Sequence, residues 1–324
     1  MTKRICQKLE AVYPVCQAQY QAVLLTASGS GAVEAMLSTF SPFDGKTLVL
    51  CNGVYGERMV AMLQRQNKPV EALMNDWRSP LCLLQLETRL AHGGITHVAV
   101  VHHETTTGRL NDLSAIAAMC LRFGTKLMID AVSSFGAEWI DFANWQPLAV
   151  AATANKCLHS IPGVAFVIAH EQVLQQQKTA ATTLYLDLQM YYREQRHGWS
   201  PFTQAVQGFM ALEAALDEFH QLGGWQARRQ TYQHRSEMIS AHLATYDIQP
   251  LLMPTDSSCI LKTYTLPDGI GYDFLHDELK RAGFTIYAGQ GQLGGKVFRI
   301  AVMGTISDFE MQQLLVQFDK VMEC

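Results

Sequence analysis

The sequence lacks the features that direct a protein to a membrane or to nucleic acid. No apolar run reaches the roughly 18 residues needed for a membrane-spanning helix. Charged residues make up 17% of the chain, basic residues form no clusters, and the net charge is −4. A chain of this charge has no extended positive surface for a phosphate backbone. We therefore expect its partners to be small molecules and copies of itself, with no nucleic acid and no membrane.

The sequence also lacks signs of secretion and of a metal-binding or redox cysteine motif. Its eight cysteines are widely spread and form no CxxC pair. The first residues, MTKRICQKLEAVYPVC, are charged and amphipathic, without the apolar core or small-residue cleavage site of a signal peptide. This usage of cysteine predicts reduced thiols and a cytoplasmic location.

What is present is a large apolar fraction arranged in alternating strand-like and helix-like segments. With 324 residues and 48% apolar content, the chain can form one large domain or two modest ones. Helix-like segments such as VEAMLSTF, ERMVAMLQRQ and LSAIAAMCLRF separate several apolar runs, and the order predicts a mostly parallel sheet covered on both faces. The strand-like runs are TLVLCN (47–52), HVAVVHH (97–103), KLMIDAV (126–132), LAVAAT (148–153) and VAFVIA (164–169).

The pattern changes after about residue 200. Two long helical segments flank a Gly-Gly pair at 223–224, and a few strand-like runs then alternate with helices. This arrangement is typical of a smaller α+β domain. We predict a large domain over residues 1–215 and a small C-terminal domain over residues 216–324.

A small-residue turn follows the apolar run AVLLTA. The segment SGSGAVEAM (28–36) predicts a strand, a tight turn and the start of a helix. Free backbone N–H groups and the positive end of the helix dipole suit such a turn for phosphate binding. An ordinary tight turn explains the same residues equally well.

Two residues at predicted strand ends suggest covalent chemistry. Asp130 closes KLMID, where it could cap a helix or face a ring nitrogen and keep it protonated. Lys156 follows LAVAAT in ANKCLHSIPG, 26 residues later. Most lysines lie on the surface, but desolvation at a buried strand end favours the neutral, nucleophilic amine. The spacing allows both residues to reach the same edge of the sheet.

Three further segments carry polar or aromatic residues beside predicted strands. HHETTTGRLNDL offers three hydroxyls. Its histidines and glutamate also suggest a metal site, which we discount because neighbouring residues on a strand point to opposite faces. Tyr55, between glycines in NGVYGERM, could stack on a flat ring or simply pack. Arg299, in the apolar run KVFRIAVMG, could bind a carboxylate or form a structural salt bridge.

Taken together and in order, five motifs resemble the class V aminotransferases, which have the aspartate-aminotransferase type of pyridoxal phosphate fold. The motifs are SGSGAVEAM, HHETTTGRLN, IDAVSSFG, ANKCLHSIPG and VFRIAVMG. The resemblance extends from about residue 20 to the end of the chain. It implies an α/β fold, with a mostly parallel, seven-stranded pyridoxal-phosphate-transferase large domain and a smaller C-terminal α+β domain.

The resemblance implies a role for each matched residue. Lys156 is the catalytic lysine that bonds to pyridoxal 5'-phosphate and moves a proton at the substrate carbon, and Asp130 pairs with the ring nitrogen. Arg299 binds the substrate carboxylate. The remaining cofactor contacts are Ser28, Gly29, Ser30 and Asn155 at the phosphate, Tyr55 and Val132 on the two faces of the ring, and Thr105 near the ring oxygen. No metal is expected.

The resemblance further implies a transaminase that acts as a homodimer. The expected donor is 2-aminoethylphosphonate and the expected acceptor pyruvate, with alanine–glyoxylate or serine–pyruvate exchange, or a weakly active cofactor-binding regulatory protein, as alternatives. The sequence departs from the family in two places. It begins almost directly at the helix before the first strand, without a Thr-Pro-Gly-Pro-like turn. Trp199 stands where the family has a threonine directed to the partner's phosphate, and Thr203 lies four residues on.

Overall fold

A seven-stranded sheet forms the centre of the larger part of the protein. The computed structural model describes residues 1–14, 19–176 and 179–323. The sheet has the order β1-β9-β8-β7-β4-β2-β3, and a short hairpin, β5–β6, lies beside it. The strands are β1 (Tyr20–Leu25), β2 (Lys46–Cys51), β3 (Val70–Met74), β4 (Ile95–Val101), β5 (His103–Glu104), β6 (Arg109–Leu110), β7 (Lys126–Asp130), β8 (Ala149–Thr153) and β9 (Ala165–His170).

Strand direction places the carboxyl ends of six strands at one edge of this sheet. β3, β2, β4, β7 and β8 run parallel, whereas β9 is antiparallel to both of its neighbours, β8 and β1. β1 therefore runs in the same direction as the parallel strands. All five residues of β8 are buried, as expected for a central strand covered on both faces.

Helices cover both faces of the sheet, and their apolar residues form two separate cores. The first core contains side chains of α1 (Thr2–Glu10), α4 (Leu83–Ala91), α5 (Leu113–Phe123), α6 (Phe142–Trp145) and α9 (Val206–Gln221). The second contains side chains of α2 (Gly29–Phe40), α3 (Val54–Arg65), α7 (Glu171–Leu174) and α8 (Leu188–Arg196). No helix in the described ranges is long and apolar enough to cross a membrane.

A three-stranded antiparallel sheet with its own core forms the C-terminal part. Its order is β10-β12-β11, and its core is built with helices that follow residue 223. The elements are α10 (Gly224–Ala244), β10 (Leu261–Thr265), α11 (Tyr272–Arg281), β11 (Tyr287–Ala288), β12 (Val297–Ala301) and α12 (Asp308–Met322), with short 3-10 helices at Pro254–Asp256 and Gly291–Leu293.

The domain boundary at residue 215 stays a prediction. Residue 215 lies within α9, whose buried residues Phe209, Leu212, Leu216 and Phe219 belong to the core of the large sheet. We propose that the division falls after this helix, at the Gly-Gly pair that begins α10.

The predicted fold class is confirmed: the chain is α/β, with a mainly parallel seven-stranded sheet and a smaller α+β part. Each of the five strand-like runs named from the sequence overlaps an observed strand, with bounds that differ by at most two residues at either end. The edge strand β3 was not predicted, because it has no fully buried residue and therefore lacks the continuous apolar run of an interior strand.

Candidate active site

Three loops meet at the carboxyl edge of the large sheet. The Ser133 hydroxyl, after β7, donates to the carbonyl of His103, after β4, at 2.9 Å. The Cys157 thiol, after β8, donates to the carbonyl of Ser133 at 3.3 Å. These bonds join the loops that carry Thr105, Asp130 and Lys156. The structure therefore brings the corresponding motifs to one place.

Asp130 ends β7 and is almost completely buried. Its Oδ1 accepts the backbone N–H of Val132 at 3.0 Å. Burial is the main cause that raises the pKa of Asp130 to about 7; the nearby Glu104 acts in the same direction, while the Val132 N–H and Arg58 oppose it. A carboxyl held in this way favours a cationic partner, because such a partner offsets the cost of burying its charge. A protonated ring nitrogen is a partner of this kind.

Lys156 lies at the end of the neighbouring strand. Asp130 pairs in register with Ala151 of β8, and Lys156 follows five residues later in a turn. Together with Asn155, Lys156 lines a cavity of about 720 Å³ whose opposite wall includes Tyr287 and Gly304 of the smaller sheet region. Its side chain is partly buried. Lys156 thus borders a space large enough for a small substrate.

The turn at residue 28 has the geometry of an anion site. Ser28 is the N-cap of α2, and its hydroxyl accepts the Gly31 N–H at 3.4 Å. The N–H groups of the first turn have no partner within a helix, so those of Gly29 and Ser30 are available to an anion. Gly29 is required because a Cβ there would lie 2.5 Å from Cγ1 of Val132. Asn155 instead accepts the Thr153 hydroxyl at 2.8 Å.

One narrow cavity joins four of the predicted cofactor residues. Ser30, Tyr55, Asp130 and Val132 all line it, together with Arg58. A flat ring held between Tyr55 and Val132 could reach Asp130 at one end and the α2 turn at the other. These residue types fit pyridoxal phosphate, while the cavity between them measures only about 30 Å³ and is not lined by Lys156. The fit is supported by the buried Asp130 carboxyl, which forms no salt bridge with any described residue.

Arg299 reaches this site from the smaller sheet. It is 7% exposed in the middle of β12. Its Nε donates to the Ala288 carbonyl at 2.9 Å, and its Nη1 donates to the Thr105 carbonyl at 2.8 Å. Burial lowers the pKa of the guanidinium, while Tyr55 and other nearby groups raise it. Nη2 makes no hydrogen bond to the described residues, so it is available to a carboxylate.

Trp199 and Thr203 do not join the site residues within this chain. Trp199 is 73% exposed, and Thr203 is also exposed. The same loop nevertheless contacts the chain just before Ser28, because the Thr26 hydroxyl donates to Gln204 Oε1 at 2.9 Å and accepts the Ala205 N–H at 3.0 Å.

Several residues that contact the site escaped prediction from the sequence. Arg58 lies over the Tyr55 ring, 4.7 Å from its centroid, and donates to the Ser30 hydroxyl at 3.3 Å. Its position one helical turn after Tyr55 could have indicated this contact. For Glu104, the motif HHETTTG suggested only a metal ligand. The structure instead shows it accepting hydrogen bonds from Tyr55 and Thr106.

A further missed set lies on α10. Arg228 donates to the carbonyl of Cys157 at 2.8 Å, and Arg235 donates to the carbonyls of Val302 and Gly304 at 3.1 and 2.9 Å. Residues at these helical spacings lie on one face and join the Lys156 loop to the opposite wall of its cavity. Polar residues on a long helix gave no sequence signal for this role.

The fold and the site together define a fold-type I enzyme of the pyridoxal phosphate class. Solved structures with this fold include a subgroup IV aspartate aminotransferase from Thermus thermophilus. It has a TM-score of 0.88 and 24% identity, over 99% of this chain and 89% of that one. An alanine–glyoxylate aminotransferase from Nostoc sp. also has a TM-score of 0.88 and 24% identity, over 99% and 86%.

Sequence comparison gives the family. The model for "Aminotransferase class-V" matches residues 2–290. A 2-aminoethylphosphonate–pyruvate transaminase from Klebsiella pneumoniae is 36% identical over 94% of this chain and 84% of its own length. One from Bacillus cytotoxicus is 33% identical over 97% and 87%. The chain belongs to the class V aminotransferases. It is a transaminase whose cofactor is pyridoxal phosphate.

Proposed function

We propose that the enzyme transfers the amino group of 2-aminoethylphosphonate to pyruvate, giving phosphonoacetaldehyde and alanine. The observation that carries this proposal is the likeness to relatives of that name at 33–36% identity over nearly the whole chain. The single guanidinium of Arg299, close to Thr105, suits a small anionic substrate group.

We also propose the roles of the site residues. When bound, the cofactor supplies an electron sink for charge that develops at the substrate carbon. Lys156 holds the cofactor and moves the proton at that carbon. Asp130 keeps the ring nitrogen protonated, and Arg299 orients the substrate by its anionic group.

Seven further residues complete the proposed cofactor pocket. Tyr55 and Val132 hold the two faces of the ring, because both line the cavity that ends at Asp130. The first-turn N–H groups at Gly29 and Ser30, with the Ser28 cap, hold the phosphate. Thr105 approaches the ring oxygen, and Asn155 reaches the phosphate side from the Lys156 turn.

A panel of amino donors tests the proposed reaction. Purified holoenzyme is mixed with 2-aminoethylphosphonate, alanine or serine without an acceptor, and the cofactor spectrum is followed. We expect the phosphonate to convert the bound cofactor to its aminated form most efficiently, and pyruvate to reverse the change. Conversion by alanine or serine alone would favour an alanine–glyoxylate or serine–pyruvate reaction. No conversion by any donor would favour a regulatory protein.

We propose that the enzyme is a homodimer in the cytoplasm. Large apolar side chains are exposed between residues 184 and 210, which is unusual for a monomer surface. They are Leu184, Tyr185, Trp199, Val206 and Met210. The Tyr185 hydroxyl donates to the Thr26 carbonyl at 3.1 Å, so this surface adjoins the phosphate turn. The unpaired thiols of the described cysteines suit a reducing compartment.

Sedimentation of a surface variant tests the dimer. We expect wild-type protein to sediment as a dimer and the double variant Trp199→Asp, Met210→Asp to sediment as a monomer, because two charges would be buried at the interface. Phe309→Asp, which alters an equally exposed residue on α12, is the control and should stay dimeric. A monomeric wild type would contradict the proposal.

A further inference from the structure

A completely buried carboxylate lies between two of the proposed site residues. Glu104 has no exposed surface and ends the short strand β5. Its Oε2 accepts the N–H groups of Tyr55 and Gly56 at 3.2 and 3.4 Å. Its Oε1 accepts the N–H and the hydroxyl of Thr106 at 3.1 and 2.6 Å. All four partners donate, as they can to a carboxylate that only accepts. Burial raises the pKa of Glu104, and the hydrogen bonds from Thr106, Gly56 and Tyr55 oppose this rise.

Glu104 provides the cap that α3 does not provide for itself. The N-cap of α3 is Gly53, which has no side chain to accept the first-turn N–H groups. Glycine is needed at this position because a Cβ there would lie 2.3 Å from Cδ of Glu104. The helix that carries Tyr55 is therefore held by a residue that follows a different strand.

The same carboxylate fixes the turn that contacts Arg299. The Thr106 hydroxyl donates to Glu104 and also accepts the Val54 N–H at 3.1 Å. Both Glu104 and Thr106 are therefore hydrogen-bonded to the start of α3. Thr105 lies between these residues, and its carbonyl accepts Nη1 of Arg299. One buried group thus links the start of α3, the Thr105 turn and the guanidinium from the smaller sheet.

We propose that Glu104 is a positioning residue that sets the ring-stacking Tyr55 and the anion-binding Arg299 in a fixed relation to each other. The proposal rests on the proposed function for the role of these two residues. Glu104 itself does not touch substrate. Through hydrogen bonds to backbone groups, it fixes the position of Tyr55, which contacts the cofactor, and of the Thr105 turn, which contacts Arg299.

The variant Glu104→Gln in the holoenzyme tests this role. Its amide retains one acceptor oxygen and turns an NH₂ group toward two donors, so one set of bonds must break. We expect kcat/KM for the keto acid to fall by roughly 10- to 100-fold, because small displacements of substrate-orienting groups cost this much. Cofactor should dissociate faster, and the amides of Tyr55 and Gly56 should exchange hydrogen faster.

A second pair of variants keeps the test informative if Glu104→Gln folds poorly. Thr106→Val removes the hydroxyl that bonds Glu104 and Val54, whereas Thr106→Ser keeps it. We expect the valine variant to change KM and cofactor retention in the direction of Glu104→Gln, and the serine variant to match wild type.

Glu138→Gln is the control for the loss of any buried carboxylate. Glu138 is 1% exposed and accepts hydrogen bonds from Ser258 and Cys259, away from Tyr55 and Arg299. We expect it to lower thermal stability but leave KM and cofactor release close to those of wild type.

Two results would overturn the proposal. One is an unchanged KM and cofactor release rate in both Glu104→Gln and Thr106→Val. The other is an equal change in Glu138→Gln, which would indicate a general loss of packing. If wild type transaminates no donor, the proposed function fails instead, and cofactor release and hydrogen exchange still decide the role of Glu104.

Discussion

At the residue scale, the proposed site depends on two groups, Asp130 and Lys156, whose local surroundings differ. Asp130 is buried at a strand end and bonded to one N–H group, whereas Lys156 lies in a turn beside a large cavity. The sequence could predict both positions because each follows a buried apolar run. It could not predict the bonds of Glu104 to the start of α3 or the bond of Arg58 to Ser30, because these partners come from other elements and no local pattern records such contacts.

Lys156→Ala should remove the covalent attachment of the cofactor. We expect purified variant protein to lose the visible absorbance of wild type and to show no measurable transamination, because no other amine replaces the nucleophile. Absorbance spectra after gel filtration and a coupled assay measure both effects. Lys126→Ala, an exposed lysine at the opposite end of β7, should keep colour and activity. Full activity in Lys156→Ala would exclude this residue as the attachment site.

Asp130→Asn should change how the stability of the cofactor-free protein depends on pH. The pKa of Asp130 is raised from 3.8 to about 7 in the folded protein. The folded state therefore binds more protons than the unfolded chain between these values, so this carboxyl lowers the free energy of unfolding as pH rises through the interval. Its penalty approaches about 4 kcal/mol above pH 7, because each tenfold change in proton affinity corresponds to about 1.4 kcal/mol.

Chemical unfolding of both proteins at pH 5 and pH 8 measures this effect. We expect the stability of Asp130→Asn relative to wild type to increase with pH. With pyridoxal phosphate present the order should reverse, because the variant loses its pairing with the ring nitrogen. If the stabilities of the two cofactor-free proteins change with pH in the same way, the pKa of Asp130 is not raised in the folded protein.

At the scale of elements, hydrophobic periodicity predicted the interior strands and the long helices well. LSAIAAMCLRF is helix α5 with the same bounds, and Ser307 caps the last helix through a capping box with Glu310. Elements whose stability depends on distant contacts escaped prediction. The hairpin β5–β6 has only two residues in each strand, and β11 is equally short, so neither has a period to detect.

Gly108→Ala should destabilise the turn of the β5–β6 hairpin. Gly108 has φ +84°, and a Cβ there would lie 2.7 Å from the Leu261 carbonyl oxygen. We expect a loss of about 2–4 kcal/mol in the free energy of unfolding, from backbone strain and the steric clash. Gly93→Ala, with φ +73° and open space around the Cβ, is a matched control that should lose about 1 kcal/mol. Equal losses in urea titrations would show that the clash is relieved at no cost.

At the scale of the whole molecule, α10 connects the large sheet with the smaller one. Arg228 and Arg235 are both nearly buried, and both donate to backbone carbonyls. The sequence predicted a long helix here but not which of its faces would be polar inside the protein. The relation between the two parts of the chain depends on such long-range contacts, which leave no periodic pattern.

Arg235→Met should weaken this connection. The substitution leaves the carbonyls of Val302, Gly304 and Ile306 without their donor. We expect a loss of roughly 2–4 kcal/mol in the free energy of unfolding, because these buried carbonyl oxygens lose hydrogen bonds from a charged donor and gain no other partner. Arg281→Met, which breaks only an exposed pair with Glu278, should change stability by less than about 0.5 kcal/mol. Thermal and urea unfolding of both variants measure the difference.

The reversed strand β9 has a consequence for how far Lys156 can move. Because β9 starts at the edge where β8 ends, the chain leaves and re-enters the sheet within about ten residues, and Ala154 is bonded to Val164 across the opening at 3.0 Å. The Ser160 N–H closes a smaller ring on the Ala154 carbonyl at 3.1 Å. These two hydrogen bonds hold the backbone segment that carries Lys156. If Lys156 has its proposed role, we expect its amine to move by rotation about the bonds of its side chain, because two hydrogen bonds hold the backbone on which it stands.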